Sequence, residues 1–212
     1  MKIELAWNSE SQGQIKPIWR LITAGRAQEG LRSAWRKQLD ILTKEMQVDY
    51  IRFHGIYNDE MMIYNEDAEG KPFYNFQYFD ELFDYLTEKK IHPIFEVSFT
   101  PTLLKSNEAT VFWWRGNISP PRDYEKYAQM VKATILHAAD RYGWAEVEQW
   151  KFEIWNEPSL YTLFWKGNFE QYMALYEILS KTIKSISEKL MVGGPSSPGY
   201  EEGKAPWLEE FL

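Results

Sequence analysis

Residues 152–160 read FEIWNEPSL, and this stretch decides the fold. Trp150, Phe152, Ile154 and Trp155 are apolar and favour extended backbone, so the segment starts as a buried strand. It then stops on Asn156, Glu157 and Pro158. Proline fixes the turn that leaves the strand. The question is why a buried strand should end on a carboxylate.

Similar apolar runs occur at 21–24, 50–54, 91–99 and 191–193. Between them lie helical spacings of three and four: Leu31 to Met46, Phe76 to Leu86, Tyr124 to Ala138, and Phe169 to Ile186. Strand alternating with helix predicts a parallel sheet with crossover helices. A doubly wound fold would usually carry a glycine-rich phosphate loop after an early strand, and Ala24-Gly25-Arg26 is not one. The segments 55–75 and 100–122 that follow the second and third strands are long, polar and aromatic. A TIM (β/α)8 barrel places its functional loops there. Only about five strand–helix units are countable, and the chain ends inside what reads as another helix. The expectation is one domain over 1–212, a partial barrel holding the first five units. On that reading Glu157 lies on the catalytic face, where partial desolvation would push a carboxyl upward and let it act as an acid.

Composition narrows the partners. A net charge of -7 and the absence of a basic run argue against a nucleic-acid surface. No stretch of eighteen apolar residues and no apolar leader is present, so the expectation is a cytoplasmic protein without a membrane partner. There are no cysteines, and three scattered histidines do not make a zinc site, so no metal or cofactor is expected. With 10 Trp, 13 Tyr and 12 Phe, the aromatics suit either a large core or stacking on sugar rings.

Six blocks in order carry a resemblance: TAGRAQEGLR (23–32), YIRFHGIYNDEM (50–61), HPIFEVSFTP (92–101), WWRGNISPP (113–121), WKFEIWNEPSL (150–160) and VGGPSS (192–197). Together they resemble the N-terminal part of family 39 glycoside hydrolases, the β-xylosidases and their relatives, over nearly the whole chain. The resemblance implies a retaining double displacement on xylosides or xylo-oligosaccharides. It matches Glu157 to the general acid/base and Asn156 to the residue touching the sugar 2-hydroxyl. The family's nucleophile is a second glutamate on strand seven, which has no counterpart in this sequence. The isolated chain is therefore expected to be inactive. The competing reading is a sugar-binding sensor domain on the same fold, or an inactive fragment.

Other residues have two readings each. A lone histidine is more often a core residue, but His54 at a strand end in RFHG resembles the family's sugar-hydroxyl ligand. Arg52 shares its face. It could orient the nucleophile or form a structural ion pair. Glu96, inside an apolar strand, needs a partner, and Arg52 is the expected one. Asn58, Asp59 and Glu60 read as solvated loop residues or a weak pocket rim. Phe112, Trp113 and Trp114 read as a wall of the sugar site or as loop packing. Trp7, Trp19, Trp35, Trp144, Trp150 and Trp165 read as core or helix packing. A five-stranded open sheet has exposed edges, so self-association or a complementing barrel half is expected.

Overall fold

A computed structural model describes residues 13, 16–160, 163–198 and 206–212. Trp7 and most of the opening stretch lie outside the described residues. The centre is a five-stranded sheet: β1 (Leu21–Arg26), β2 (Tyr50–His54), β3 (His92–Val97), β4 (Lys151–Ile154) and β5 (Met191–Gly193). The spatial order follows the chain order, β1-β2-β3-β4-β5, and all four pairings are parallel. A doubly wound sheet reverses its order at a switch point. This one does not, as a segment of a (β/α)8 barrel requires.

The helices fill the connections: α1 (Ser33–Glu45), α2 (Gln77–Glu88), α3 (Tyr124–Tyr142) with the short α4 (Trp144–Val147), α5 (Phe169–Ile186) and α6 (Pro206–Phe211). Start and stop chemistry is explicit for two of them. Asp123 caps α3 by accepting from the Lys126 N–H, and Gly143 ends it at φ +83, where a side chain would be strained. Asn168 and Gln171 form a reciprocal capping box on α5. Among the described residues, no helix is long and apolar enough to cross a membrane.

Period-two alternation divides each strand between two environments. Ile51, Phe53, Phe95, Val97, Phe152 and Ile154 are buried beneath the helices. Arg52, His54, Glu96 and Glu153 alternate with them and share the opposite face, which would line the barrel. The helix-side core is largely aromatic. Phe79 and Phe83 stack at 4.2 Å, Phe83 lies 5.1 Å from Trp150, and Phe95 lies 5.5 Å from Phe152.

The structure revises several sequence boundaries. The third strand was expected to reach residue 99. It stops at Val97 because the next groups bond locally: Ser98 N–H to Glu96 O at 3.0 Å and Thr100 N–H to Asn117 O at 3.1 Å. The fourth ends at Ile154 because Trp155 turns to φ +69. The first continues to Arg26, with an irregular register between Thr23 and Arg26 where Gly25 takes φ +30. The expected loops contain hairpins, Tyr64–Glu66 with Pro72–Tyr74 and Thr110–Val111 with Gly116–Asn117. Trp150 and Trp165 are buried, but Trp19 and Trp144 are 43% and 41% exposed and do not belong to the core.

Phe95 touches rings from α2, β4 and the loop after β2. Phe95→Ala is expected to cost about 3–5 kcal/mol in urea unfolding, whereas a loss under about 1 kcal/mol would mean the core collapses around the gap.

Candidate active site

The site grows from one register. β3 and β4 pair so that Glu96 lies beside Glu153, and both project from the face that carries Arg52 and His54. Two carboxylates on neighbouring strands repel each other unless a cation intervenes. Arg52 is that cation. Its Nη2 is 2.7 Å from Glu96 Oε2, and its Nε donates to Glu153 Oε2 at 2.5 Å. Glu96 is fully buried, so the pair answers a desolvation cost of several kcal/mol per ion. Burial alone would lower the Arg52 pKa. The carboxylates of Glu96, Glu153 and Glu157 outweigh it and hold the guanidinium above its ordinary value.

The remaining donors around this pair are organised by it. Arg52 Nη2 also donates to Asn156 Oδ1 at 2.8 Å. With its oxygen engaged, the Asn156 amide offers its N–H2 to a ligand. His54 Nδ1 lies 2.7 Å from Glu96 Oε2. An Nδ1–H donated to that carboxylate leaves Nε2 for another partner. The Ser98 hydroxyl donates to Glu96 and the Ser196 hydroxyl to Glu153. Glu153 and Ser196 were not singled out in the sequence. Alternation with Phe152 and Ile154 is the signal that would have put Glu153 on the Glu96 face.

Glu157 stands just beyond β4 at φ +44, an uncommon region for a side-chain-bearing residue. Neighbouring elements hold this turn. Glu157 N–H donates to Ser196 O at 3.0 Å, Trp155 Nε1 to Phe164 O at 2.7 Å, and Tyr172 Oη to Ile154 O at 3.1 Å. Persistent backbone strain of this kind clusters at functional sites. The Glu157 side chain is half-buried, and its carboxylate accepts no hydrogen bond from a described residue. It differs from Glu96 and Glu153 in being free to act on a ligand.

The third loop brings an aromatic wall to the same place. Phe112 lies 5.5 Å from His54 and stacks on Trp114 at 5.0 Å. Gly116 is required beneath it, because a Cβ there would fall 2.7 Å from both Phe99 and Trp114. Trp113 is 79% exposed, with the Arg26 guanidinium 4.5 Å from its ring centre. Arg26, also not singled out in the sequence, is bound by both Glu60 oxygens at 2.7 and 2.6 Å and by Glu29 at 3.1 Å. Glu60 is thus a tether rather than a solvated loop acid. His92 and His137 bond to Glu146 and Asp80, and no group of three potential ligands capable of holding a metal occurs among the described residues.

Removing the hub has a definite expected cost. Arg52→Ala leaves the buried Glu96 with only His54 and the Ser98 hydroxyl and no guanidinium, which should destabilise the fold by about 3–5 kcal/mol in chemical denaturation. Adding Glu96→Gln to that variant should restore part of the loss. No restoration would mean that Glu96 is satisfied without Arg52.

Comparisons with known proteins bear on the family and the fold. The sequence profile of glycosyl hydrolases family 39 matches residues 1–212. The β-xylosidase of Geobacillus stearothermophilus is 38% identical over 209 residues, covering 96% of this chain and 41% of the relative. That of Caldicellulosiruptor saccharolyticus is 38% identical over 198 residues, covering 93% and 40%. The structure of a family 39 β-xylosidase from Caulobacter crescentus superimposes with a TM-score of 0.82 at 34% identity, covering 90% of this chain and 42% of that one. The chain therefore spans about two-fifths of the length of the relatives it matches. Its parallel sheet is part of an α/β barrel of the same kind, and the chain belongs to glycosyl hydrolases family 39.

Proposed function

We propose that this chain forms the acid/base side of a retaining β-xylosidase site. The observation that carries the reading is Glu157: a free, half-buried carboxyl held in a constrained turn at the end of β4, directly after Asn156. In the first step its carboxyl proton goes to the glycosidic oxygen as the leaving group departs. A second carboxylate attacks the anomeric carbon and forms a glycosyl-enzyme. In the second step Glu157, now ionised, takes a proton from the water that displaces the sugar. Asn156 donates to a sugar hydroxyl, His54 supplies a ring nitrogen beside it, and Phe112 and Trp113 flank the sugar.

Arg52 supports this set by fixing the Asn156 amide and neutralising charge beneath it. Glu96 and Glu153 are already bound to Arg52, so neither is a free nucleophile. On this reading the nucleophile has no counterpart in this sequence, and these 212 residues alone turn over no xyloside. The relatives that match the chain include β-xylosidases, which supports xylosides over other sugars.

The test compares two substrates. In any form of the protein that hydrolyses xylobiose, Glu157→Gln should lower kcat/KM by about 10²- to 10⁴-fold. An aryl β-xyloside, whose leaving group needs little protonation, should lose far less in its first step. Equal losses on both substrates, or none on either, would contradict the acid role. The sheet makes a separate expectation. Leu21 on β1 and Met191 on β5, the two outer strands of the described sheet, are 45% and 54% exposed. Open strand edges pair with other chains. Sedimentation should show association rising with concentration, or capture of a complementing barrel half, and a monomer throughout would contradict it.

A further inference from the structure

Each histidine of the chain meets an acid, and the ring nitrogens used are not the same. His137 meets Asp80 through Nε2 at 2.6 Å, between α3 and α2. His92 meets Glu146 through Nδ1 at 2.8 Å, and Glu146 also accepts from the Trp150 indole. His92 opens β3, at the opposite end of the sheet from Glu157. His54 closes β2, at the end of the sheet where Glu157 follows β4, and it meets Glu96 through Nδ1 at 2.7 Å.

The surroundings of Glu96 leave His54 one tautomer. Glu96 is fully buried, and both its oxygens face donors. Oε1 accepts from the Ser98 hydroxyl, and Oε2 lies 2.7 Å from both Arg52 Nη2 and His54 Nδ1. A guanidinium only donates, so the oxygen it meets can only accept. The proton of the His54 contact therefore sits on Nδ1. A neutral imidazole carries one N–H, so Nε2 is then a bare acceptor. In water the free neutral side chain favours the Nε2–H form, so Glu96 is what selects the other one. The Phe112 and Phe99 rings flank the imidazole at 5.5 and 6.2 Å and offer no competing acceptor. Nε2 has no partner among the described residues, and the side chain is 22% exposed, so a ligand can reach it.

We propose that Glu96 is a positioning residue for sugar recognition, one that fixes His54 as a hydrogen-bond acceptor beside the Asn156 donor. This rests on the reading of the site as a sugar site. Arg52 sets the other half: the same Nη2 that meets Glu96 donates to Asn156 Oδ1, which leaves the amide its N–H2. One buried ion pair thus gives the site an acceptor and a donor of fixed sense. Adjacent hydroxyls fit such a pair, because one donates to His54 while its neighbour accepts from Asn156. An ether oxygen or a fluorine suits Asn156 and fails at His54, so the preference is for a ligand whose hydroxyl there is free.

The first readout needs no sugar. Long-range proton–nitrogen NMR of the full 212-residue chain, with its histidines labelled and their rings neutral, should show His54 and His92 protonated at Nδ1 and His137 at Nε2. Glu96→Ala should return His54 alone to the Nε2–H form and weaken methyl β-D-xyloside about tenfold in calorimetry. Glu96→Gln keeps an oxygen for Arg52 and His54 and should preserve the tautomer. If the alanine variant does not fold, the unmodified chain still decides. Fluorine is put in place of each free hydroxyl of the xyloside in turn, and one replacement should cost about tenfold, a cost that disappears in His54→Ala. An Nε2–H form of His54 in the unmodified chain, a tautomer or an affinity unchanged in folded Glu96→Ala, or no such cost from any fluorine would each overturn the proposal and leave the sugar site standing. Absence of saturable xyloside binding while His54 is protonated at Nδ1 would instead contradict the sugar reading, and the recognition role with it.

Discussion

The arrangement depends on one guanidinium. Parallel pairing of β3 and β4 sets Glu96 and Glu153 side by side on the face that lines the barrel. Without Arg52 that register would bring two negative charges together in a place where water is scarce. With it, the same register becomes useful. The guanidinium bonds both carboxylates and still has a donor for Asn156. Strand pairing, charge balance and orientation of a candidate sugar ligand are therefore coupled. A change to any one of these four residues reaches the other three.

A second cation performs a comparable task one layer out. Arg26 ends β1, binds Glu60 from the loop after β2, and lies across Trp113 from the loop after β3. Three connections that share no strand pairing at this level are drawn together at the mouth. The Arg26 contact helps offset the conformational entropy that the exposed Trp113 loses in holding one orientation. The rim is thus built from cation–π and ion-pair contacts over an aromatic floor, and its shape depends on charge as well as packing.

The frame was legible because periodicity is strong where elements are long. Strands 50–54 and 191–193 and all four periodic helical segments read directly from spacings of two and of three to four. The hairpins were not legible, since Thr110–Val111 and Gly116–Asn117 are too short to show a period. Glu157 stood out because a carboxylate between Asn156 and Pro158 interrupts an apolar run. The Arg52–Glu96 pair was readable from the need of a buried acid for a partner. Glu153 was hidden inside a strand whose apolar residues drew the attention. Arg26 was hidden because its partners Glu60 and Trp113 come from distant loops, and loop-to-loop contact leaves no periodic trace.

The central claim is that Glu157 and Asn156 face one sugar together. The most direct measurement is a crystal structure of the protein with unhydrolysed xylobiose bound, obtained with Glu157→Gln. The account expects the amide introduced at position 157 within about 2.6–3.2 Å of the glycosidic oxygen, with a ring hydroxyl on the Asn156 amide. A disaccharide bound elsewhere, with positions 156 and 157 in contact only with solvent, would contradict it.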